Sequence, residues 1–229
     1  MNFSSTTHIG LERQENQDYL AHLNTGEGDL FIVCDGLSGL PNGALASKTA
    51  VESILSDFSG RLYDPVGLLC KSLVNANEIV VNASTNPLGT TVVAVYLQDG
   101  TATAAWCGDS RIYHFRDHDI QWMTQDHNVL HDILNKGKAS GGLFLNPQAI
   151  TRYLGMEEYP KGDYCQYDVE SGDCILLCSD GLHGFIMEPD IIHAVMGHPP
   201  EKASEILEKK LLSEKIGAPD NFTWYIINI

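Results

Sequence analysis

The sequence predicts an α+β fold, an antiparallel β-sandwich with helices packed on its outer faces. Three observations lead there. Short runs rich in β-branched, aromatic and other apolar residues recur along the chain, and in its middle they are separated by turn signals. Four segments carry the 3.6-residue apolar period, two after the early strands and two among the last ones. No Pro/Gly/Ser-rich linker, repeat or low-complexity tract divides the 229 residues, so 1–229 reads as one domain.

In chain order, Leu30–Cys34 is a buried-strand run. A helix follows from about Gly43 to Phe58, with Ala46, Ala50, Val51, Ile54, Leu55 and Phe58 on one face. Asp64-Pro65 starts a second helix as cap and first-turn proline, and Val66, Leu69, Leu73, Ala76, Asn77 and Val80 form its apolar face. Thr91–Leu97 and Thr101–Cys107 flank Gln98-Asp99-Gly100, a hairpin signal. Arg111–Phe115 and Ile120–Met123 flank a turn at Arg116–Asp119, and Tyr164–Val169 and Cys174–Cys178 flank another at Glu170–Asp173. Between those pairs, Asn128–Pro160 has weak periodicity and several glycines and reads as a mobile helix–loop insertion. Pro189 starts a third helix with Ile191, Ile192 and Val195 inward. Ala203, Ile206, Leu207 and Leu211 give a fourth, with Glu205 and Lys209 as an outer ion pair. Phe222–Ile229 is the terminal strand.

Composition excludes some partners. Thirty acidic residues against 14 Lys and Arg give a formal charge of −16, a surface that repels nucleic acid and anionic membrane. Six cysteines lie scattered without a Cys-x-x-Cys pair, and Cys34, Cys107 and Cys178 sit inside apolar runs as small hydrophobes. Met1–Gly10 lacks a secretory pattern, and no apolar run approaches the roughly 18 residues of a membrane span. A reduced, cytoplasmic compartment is the expectation.

Aspartates mark the strand ends. The run Leu30–Cys34 ends at Asp35-Gly36, Cys174–Cys178 leads through Ser179 to Asp180-Gly181, and Ala104–Cys107 leads to Gly108-Asp109. Asp220 precedes the last strand, and Asp18 precedes Tyr19-Leu20-Ala21. Taken singly, each is an ordinary turn residue. Two features favour a site. Neither Asp35-Gly36 nor Asp180-Gly181 is followed by a returning strand, and Gly36, Gly39 and Gly43 come in quick succession, as where a backbone passes close to a ligand. Several carboxylates without a His or Cys cluster point to Mg²⁺ or Mn²⁺, which prefer oxygen ligands. Two such ions roughly 3.5–4 Å apart support in-line attack on a phosphate. Arg13, near Asp18, is the candidate to grip its oxygens. His127 and His131 read as a surface helix, and Trp106 and Trp224 as core.

Seven short motifs stand in order: Arg13-x-x-Asn16-Gln17-Asp18, Asp35-Gly36-Leu37-Ser38-Gly39, Gly89-Thr90-Thr91, Gly108-Asp109-Ser110-Arg111, Thr124-Gln125-Asp126-His127, Ser179-Asp180-Gly181-Leu182 and Asp220-Asn221-Phe222-Thr223. Together they resemble the metal-dependent protein phosphatases of the 2C type, in their minimal bacterial branch. The resemblance implies a four-layer αββα sandwich that hydrolyses phosphoserine or phosphothreonine on proteins by direct attack of a metal-bridging hydroxide. It implies Asp35, Asp180 and Asp220 as ligands of one ion, and Asp18, Asp35 and the Gly36 carbonyl as ligands of a second. Arg13 matches the phosphate-binding arginine, Asp109 a ligand of a weaker third ion, and about 128–160 the flap beside the site. It further implies a monomer whose phosphoprotein substrate is shared with a Ser/Thr kinase in signalling or in control of a secretion machine.

This chain departs from the pattern at three places. Ser38 stands for a glycine, Leu37 for the histidine of many eukaryotic members, and Gly184 for an acidic residue, with His183 beside it as an ordinary loop histidine. Ser38 and Gly184 are what a competing reading rests on, a non-catalytic phosphatase-like module that binds a phosphoprotein.

Overall fold

The continuous apolar runs are strands buried on both faces, and period-2 alternation divides each between two cores. Leu30, Ile32 and Cys34 pack into a core with helical residues such as Ala50, Ile54, Leu69 and Leu73. Phe31 and Val33, between them, face a second core with Val93, Val95, Ile175, Leu177, Tyr225 and Ile227. Phe222, Trp224 and Ile226 meet a third, with Ile191, Leu207 and Leu211. Three cores separated by two sheets give four layers.

The computed structural model describes residues 1–59, 64–136 and 146–229. Its elements are β1 (Asn2–His8), β2 (Asp18–Asn24), β3 (Asp29–Asp35), α1 (Gly43–Asp57), α2 (Pro65–Asn82), β4 (Val92–Gln98), β5 (Thr101–Cys107), β6 (Arg111–Arg116), β7 (Asp119–Met123), α3 (Val129–Lys136), β8 (Asp163–Asp168), β9 (Cys174–Cys178), α4 (Asp180–His183), α5 (Glu188–Gly197), α6 (Pro200–Leu211) and β10 (Phe222–Asn228). One sheet runs β2-β3-β4-β5-β8 and the other β1-β10-β9-β6-β7. All strand pairs in them are antiparallel. Helices α1 and α2 cover the first sheet, and α5 and α6 cover the second. Among the described residues no helix is long and apolar enough to cross a membrane.

Local chemistry explains most boundaries. Asp64 caps α2 by accepting from the Gly67 N–H at 3.0 Å, with Pro65 in the first turn. Asp99 and Gly100 take φ of 48° and 75° in the β4–β5 turn, and Asp117 and His118 take 52° and 61° in the β6–β7 turn. Strand β1 escapes sequence reading because it is an edge strand rich in Ser and Thr, without an apolar run. Glu205 pairs with Lys202 at 2.9 Å instead of the expected Lys209, a correction within the same helix face. Helix α3 supplies the helix of the expected 128–160 insertion, of which residues 137–145 lie outside the described ones.

At the sandwich end that carries the β6–β7 turn, Asp173 is 1% exposed and accepts from Arg116 Nε and Nη2 at 2.6 and 2.7 Å. His114 Nε2 lies 2.8 Å away and the Glu170 N–H donates at 3.0 Å. Burial works to raise this carboxyl, but the Arg116, Glu170 and His114 contacts outweigh it and bring it down to about 2. The folded value lies below the unfolded one, so the stabilisation is complete above the unfolded value and is lost as pH falls through about 2. Asp173→Asn should therefore cost about 2 kcal/mol at neutral pH. In urea melts, the gap between wild type and variant should close between about pH 4 and pH 2. A gap that does not change with pH would refute the assignment.

Candidate metal and phosphate site

The five aspartates converge at one end of the sandwich. Asp18 opens β2 and Asp35 closes β3, and the antiparallel register sets them directly opposite each other. Asp109 follows β5, Asp180 opens α4 after β9, and Asp220 stands just before β10. The first sheet thus contributes three carboxylates and the second sheet two.

Side chains hold these strand ends together. Ser179 Oγ donates to Asp18 Oδ2 at 2.8 Å and accepts from the Thr223 N–H at 3.0 Å. Thr91 Oγ1 accepts from the Asp35 N–H at 3.0 Å, and the Asp35 carbonyl accepts from Thr90 Oγ1 and the Thr91 N–H at 2.9 and 2.8 Å. Asn221 Oδ1 accepts from the Gln17 N–H at 2.9 Å, while its Nδ2 donates to the carbonyls of Ile9 and Glu15 at 2.7 and 3.0 Å. That single amide lashes the N-terminal loop carrying Arg13 to the start of β10. Arg13 Nη2 then donates to Asp220 Oδ2 at 2.7 Å.

Glycine makes two of these approaches sterically possible. A Cβ on Gly181 would run into the carbonyl of Asn221, and one on Gly36 into the backbone of Gly43. A Cβ on Gly43 would press on the Gln17 side chain and the Gly36 backbone, and one on Gly39 would meet nothing within 4 Å. Ser38 is absent from the positive-φ residues, so it carries no left-handed strain.

Electrostatics decide what the cluster needs. Asp18 is 5% exposed, and the other four aspartates are half-buried around it. Asp35 is held well above the usual carboxylate range by burial first, then by Asp18, Asp180, Asp109 and Asp220. It stands opposite Asp18 in the β2–β3 pairing and in the field of Asp180. Burial pushes Asp18 to about 7, against the bonds from Ser179 and Thr223. Asp180 rises to about 6 through burial and Asp220, with Arg13 opposing. Asp109 rises to about 7 through burial, Asp180 and Asp126. Carboxyls this crowded cannot all ionise unless cations lie among them; otherwise some keep their protons.

Two buried oxygens, Asp18 Oδ1 and Asp109 Oδ1, lack a hydrogen-bond partner, and an unpaired buried acceptor is costly unless a ligand meets it. All-oxygen donors, orphaned oxygens and mutual repulsion fit hard divalent cations. Among the described residues no three His, Cys, Asp or Glu side chains already close on one point.

Some participants were not legible as such. His183 is not an ordinary loop residue but part of α4, and its Nε2 donates to the Asp109 carbonyl at 2.9 Å. Burial lowers its pKa to about 4, leaving it neutral. His127 is not on a surface helix; it is 1% exposed and precedes α3. Arg111 grips Asp126 through Nε and Nη2, both at 2.8 Å. Ser179, Asn221, Thr90 and Thr91 all lay inside the seven motifs, but spacing along the chain assigned them no role.

A family model described as Protein phosphatase 2C matches residues 6–211. The chain is 27% identical over 243 aligned positions to "Protein phosphatase PhpP" of Streptococcus pneumoniae serotype 2 (strain D39 / NCTC 7466), covering 100% of this chain and 98% of that one. It is 28% identical to "Serine/threonine phosphatase stp" of Listeria monocytogenes serovar 1/2a, with 94% of each covered. Its fold matches the catalytic domain of the serine threonine protein phosphatase PstP in complex with 2 manganese ions, with a TM-score of 0.84 at 21% identity over 99% of this chain and 97% of that one.

The glycine geometry gives a paired prediction. Gly181→Ala should cost about 3 kcal/mol or more, because its clash is with backbone that cannot yield cheaply. Gly39→Ala should stay within about 0.5 kcal/mol of wild type. Denaturant midpoints compare the two, and equal losses would contradict the packing described.

Proposed function

The chain belongs to the protein phosphatase 2C family, and on that premise we propose how its carboxylate cluster performs metal-dependent hydrolysis of phosphoserine and phosphothreonine on proteins. One observation carries the reading: Asp35 stands opposite Asp18 across the β2–β3 pairing, in a cluster with Asp180, Asp109 and Asp220 that repels itself without cations.

In this reading Asp35, Asp180 and Asp220 would hold one Mg²⁺ or Mn²⁺, and Asp18, Asp35 and the Gly36 carbonyl would hold a second. Asp109 belongs to a weaker third. When bound, such ions supply Lewis acidity toward the phosphoryl oxygens and activate water for in-line attack. The protein supplies position. Ser179 fixes one oxygen of Asp18 and leaves the other without a partner, and Thr90 and Thr91 fix the Asp35 backbone.

Arg13 is oriented by its bond to Asp220, and its guanidinium donates to the phosphoryl oxygens as their charge spreads. A chain of charge −16 would otherwise repel a phosphomonoester, so Arg13 and the cations together bring substrate in. Leu37 has no proton to give, so the leaving oxygen takes its proton from water. We read the substrate as a phosphoprotein that a Ser/Thr kinase also acts on, with the phosphatase working as a monomer, as the family resemblance suggests.

Two experiments test this. Phosphate release from a phosphoserine peptide should require Mn²⁺ or Mg²⁺, stop with EDTA, and fall at least about 10²-fold in Asp35→Asn. Turnover that survives EDTA would end the proposal. Arg13→Ala should lower kcat/KM by about 10²-fold, and Arg13→Lys should recover only part of that, since an ammonium lacks the planar fork. Full recovery in the lysine variant would reduce Arg13 to a point charge.

A further inference from the structure

The loop Gly108-Asp109-Ser110 should be pliable, yet it is tied at every residue. Gly108 has a φ of +120°, and a Cβ there would lie 2.6 Å from Thr91 side-chain atoms, so only glycine fits and the backbone needs outside support. Ser110 Oγ is 2.6 Å from Thr91 Oγ1, the atom that also receives the Asp35 N–H. The Asp109 carbonyl is held by His183.

Gly108 itself is held by His127 at two points. The His127 N–H donates to the Gly108 carbonyl at 2.9 Å, and the Gly108 N–H donates to His127 Nδ1 at 3.1 Å. A backbone N–H cannot accept, so Nδ1 is the bare nitrogen and the ring proton sits on Nε2. Nε2 faces Asp163 Oδ2 at 3.1 Å, and Asp163 is in turn held by Arg152 Nη1 and Nη2 at 3.3 and 3.4 Å. Arg152 also donates to the Lys161 carbonyl at 3.0 Å, and its neighbour Thr151 donates its N–H to the His127 carbonyl at 2.8 Å. Trp106 stacks on the ring, with centroids 6.3 Å apart. The tautomer, the ring plane and the acceptor nitrogen of His127 are thus all determined by neighbours.

We propose that His127 is a positioning residue: through its clasp on Gly108 it places the Asp109 carboxylate, and Asp163 and Arg152 hold it in the tautomer that makes the clasp possible. The significance for metal rests on the reading of Asp109 as a ligand of the weaker ion; the clasp itself does not. The orphaned Asp109 Oδ1 is what the clasp aims. Outer partners that orient a ligand typically affect metal affinity about 10- to 100-fold.

The test uses the full chain and separates the two ends of the ring. An asparagine at 127 keeps an acceptor near the Nδ1 position, whereas a glutamine does not. Two readouts are taken: amide hydrogen exchange at Gly108 and Asp109 without metal, and Mn²⁺ titration by calorimetry. His127→Gln should speed exchange at Gly108 and weaken the weakest Mn²⁺ site by about tenfold, and His127→Asn should restore both to within about twofold of wild type. Asp163→Ala should act in the same direction as His127→Gln, and its half-exposed side chain keeps the test available if the buried variants fail to fold. Unchanged exchange in Asp163→Ala and in a folded His127→Gln would overturn the clasp. Altered exchange with a Mn²⁺ titration unmoved even in Asp109→Asn would leave the clasp standing and remove Asp109 from the ligands.

Discussion

Everything at this end of the molecule answers to one repulsion. Asp35 is surrounded by the negative fields of Asp18, Asp180, Asp109 and Asp220, and its burial weakens the screening that bulk water would give. Left to itself such a cluster would spread apart or take up protons. It is held instead by a scaffold that approaches it from behind: Ser179 on Asp18, Thr90 and Thr91 on Asp35, Arg13 on Asp220 and His183 on the Asp109 backbone. The scaffold leaves oxygens unpaired on Asp18 and Asp109. A protein that devotes so many hydrogen bonds to confining like charges leaves a site whose natural complement is small, hard cations.

The sandwich is suited to that confinement because the carboxylates come from both sheets. Asp18, Asp35 and Asp109 ride on the first and Asp180 and Asp220 on the second, so the cluster bridges the two. Its geometry is therefore set by the core between the sheets, where Phe31, Val33, Val93, Ile175, Leu177 and Tyr225 meet. Register matters as much. Asp18 opposes Asp35 only in the observed pairing of β2 with β3. A slip of one residue would turn the faces of the strand over and send Phe31 and Val33 toward the helices. Core packing thus fixes the register, and the register sets Asp18 and Asp35 opposite each other.

The aspartates were legible because each adjoins an apolar strand, and a carboxylate at the end of such a run stands out. The helices were legible by period and by Asp64-Pro65. Strand β1 was not, since Asn2–His8 offers polar residues at an edge and pairs with β10 more than 200 positions away. The same distance in sequence hid Asn221, whose amide joins Gln17, Ile9 and Glu15. His127 was hidden by shorter gaps, 19 positions to Gly108 and 36 to Asp163, that no local period spans. Gly36 and Gly43 also do what spacing did not show: the absence of side chains there lets the Gly43 backbone approach Gly36 and Gln17. Composition flags a tight approach; only the fold shows what is approached.

The departures from the family pattern divide along the same line. Ser38 changes little, because its backbone is not left-handed and needs no glycine. Gly184 changes more, since it brings no carboxylate toward Asp109, while the neighbouring His183 ties down the Asp109 carbonyl with a neutral ring. On the proposed reading, an ion beside Asp109 would gain geometric order from His183 and His127 but no charge from either. Order lowers the entropic cost of binding, whereas charge supplies attraction for a hard cation. A site rich in the first and poor in the second would bind weakly and release readily, with little movement of the loop. The first two ions, set among Asp18, Asp35, Asp180 and Asp220, would have both.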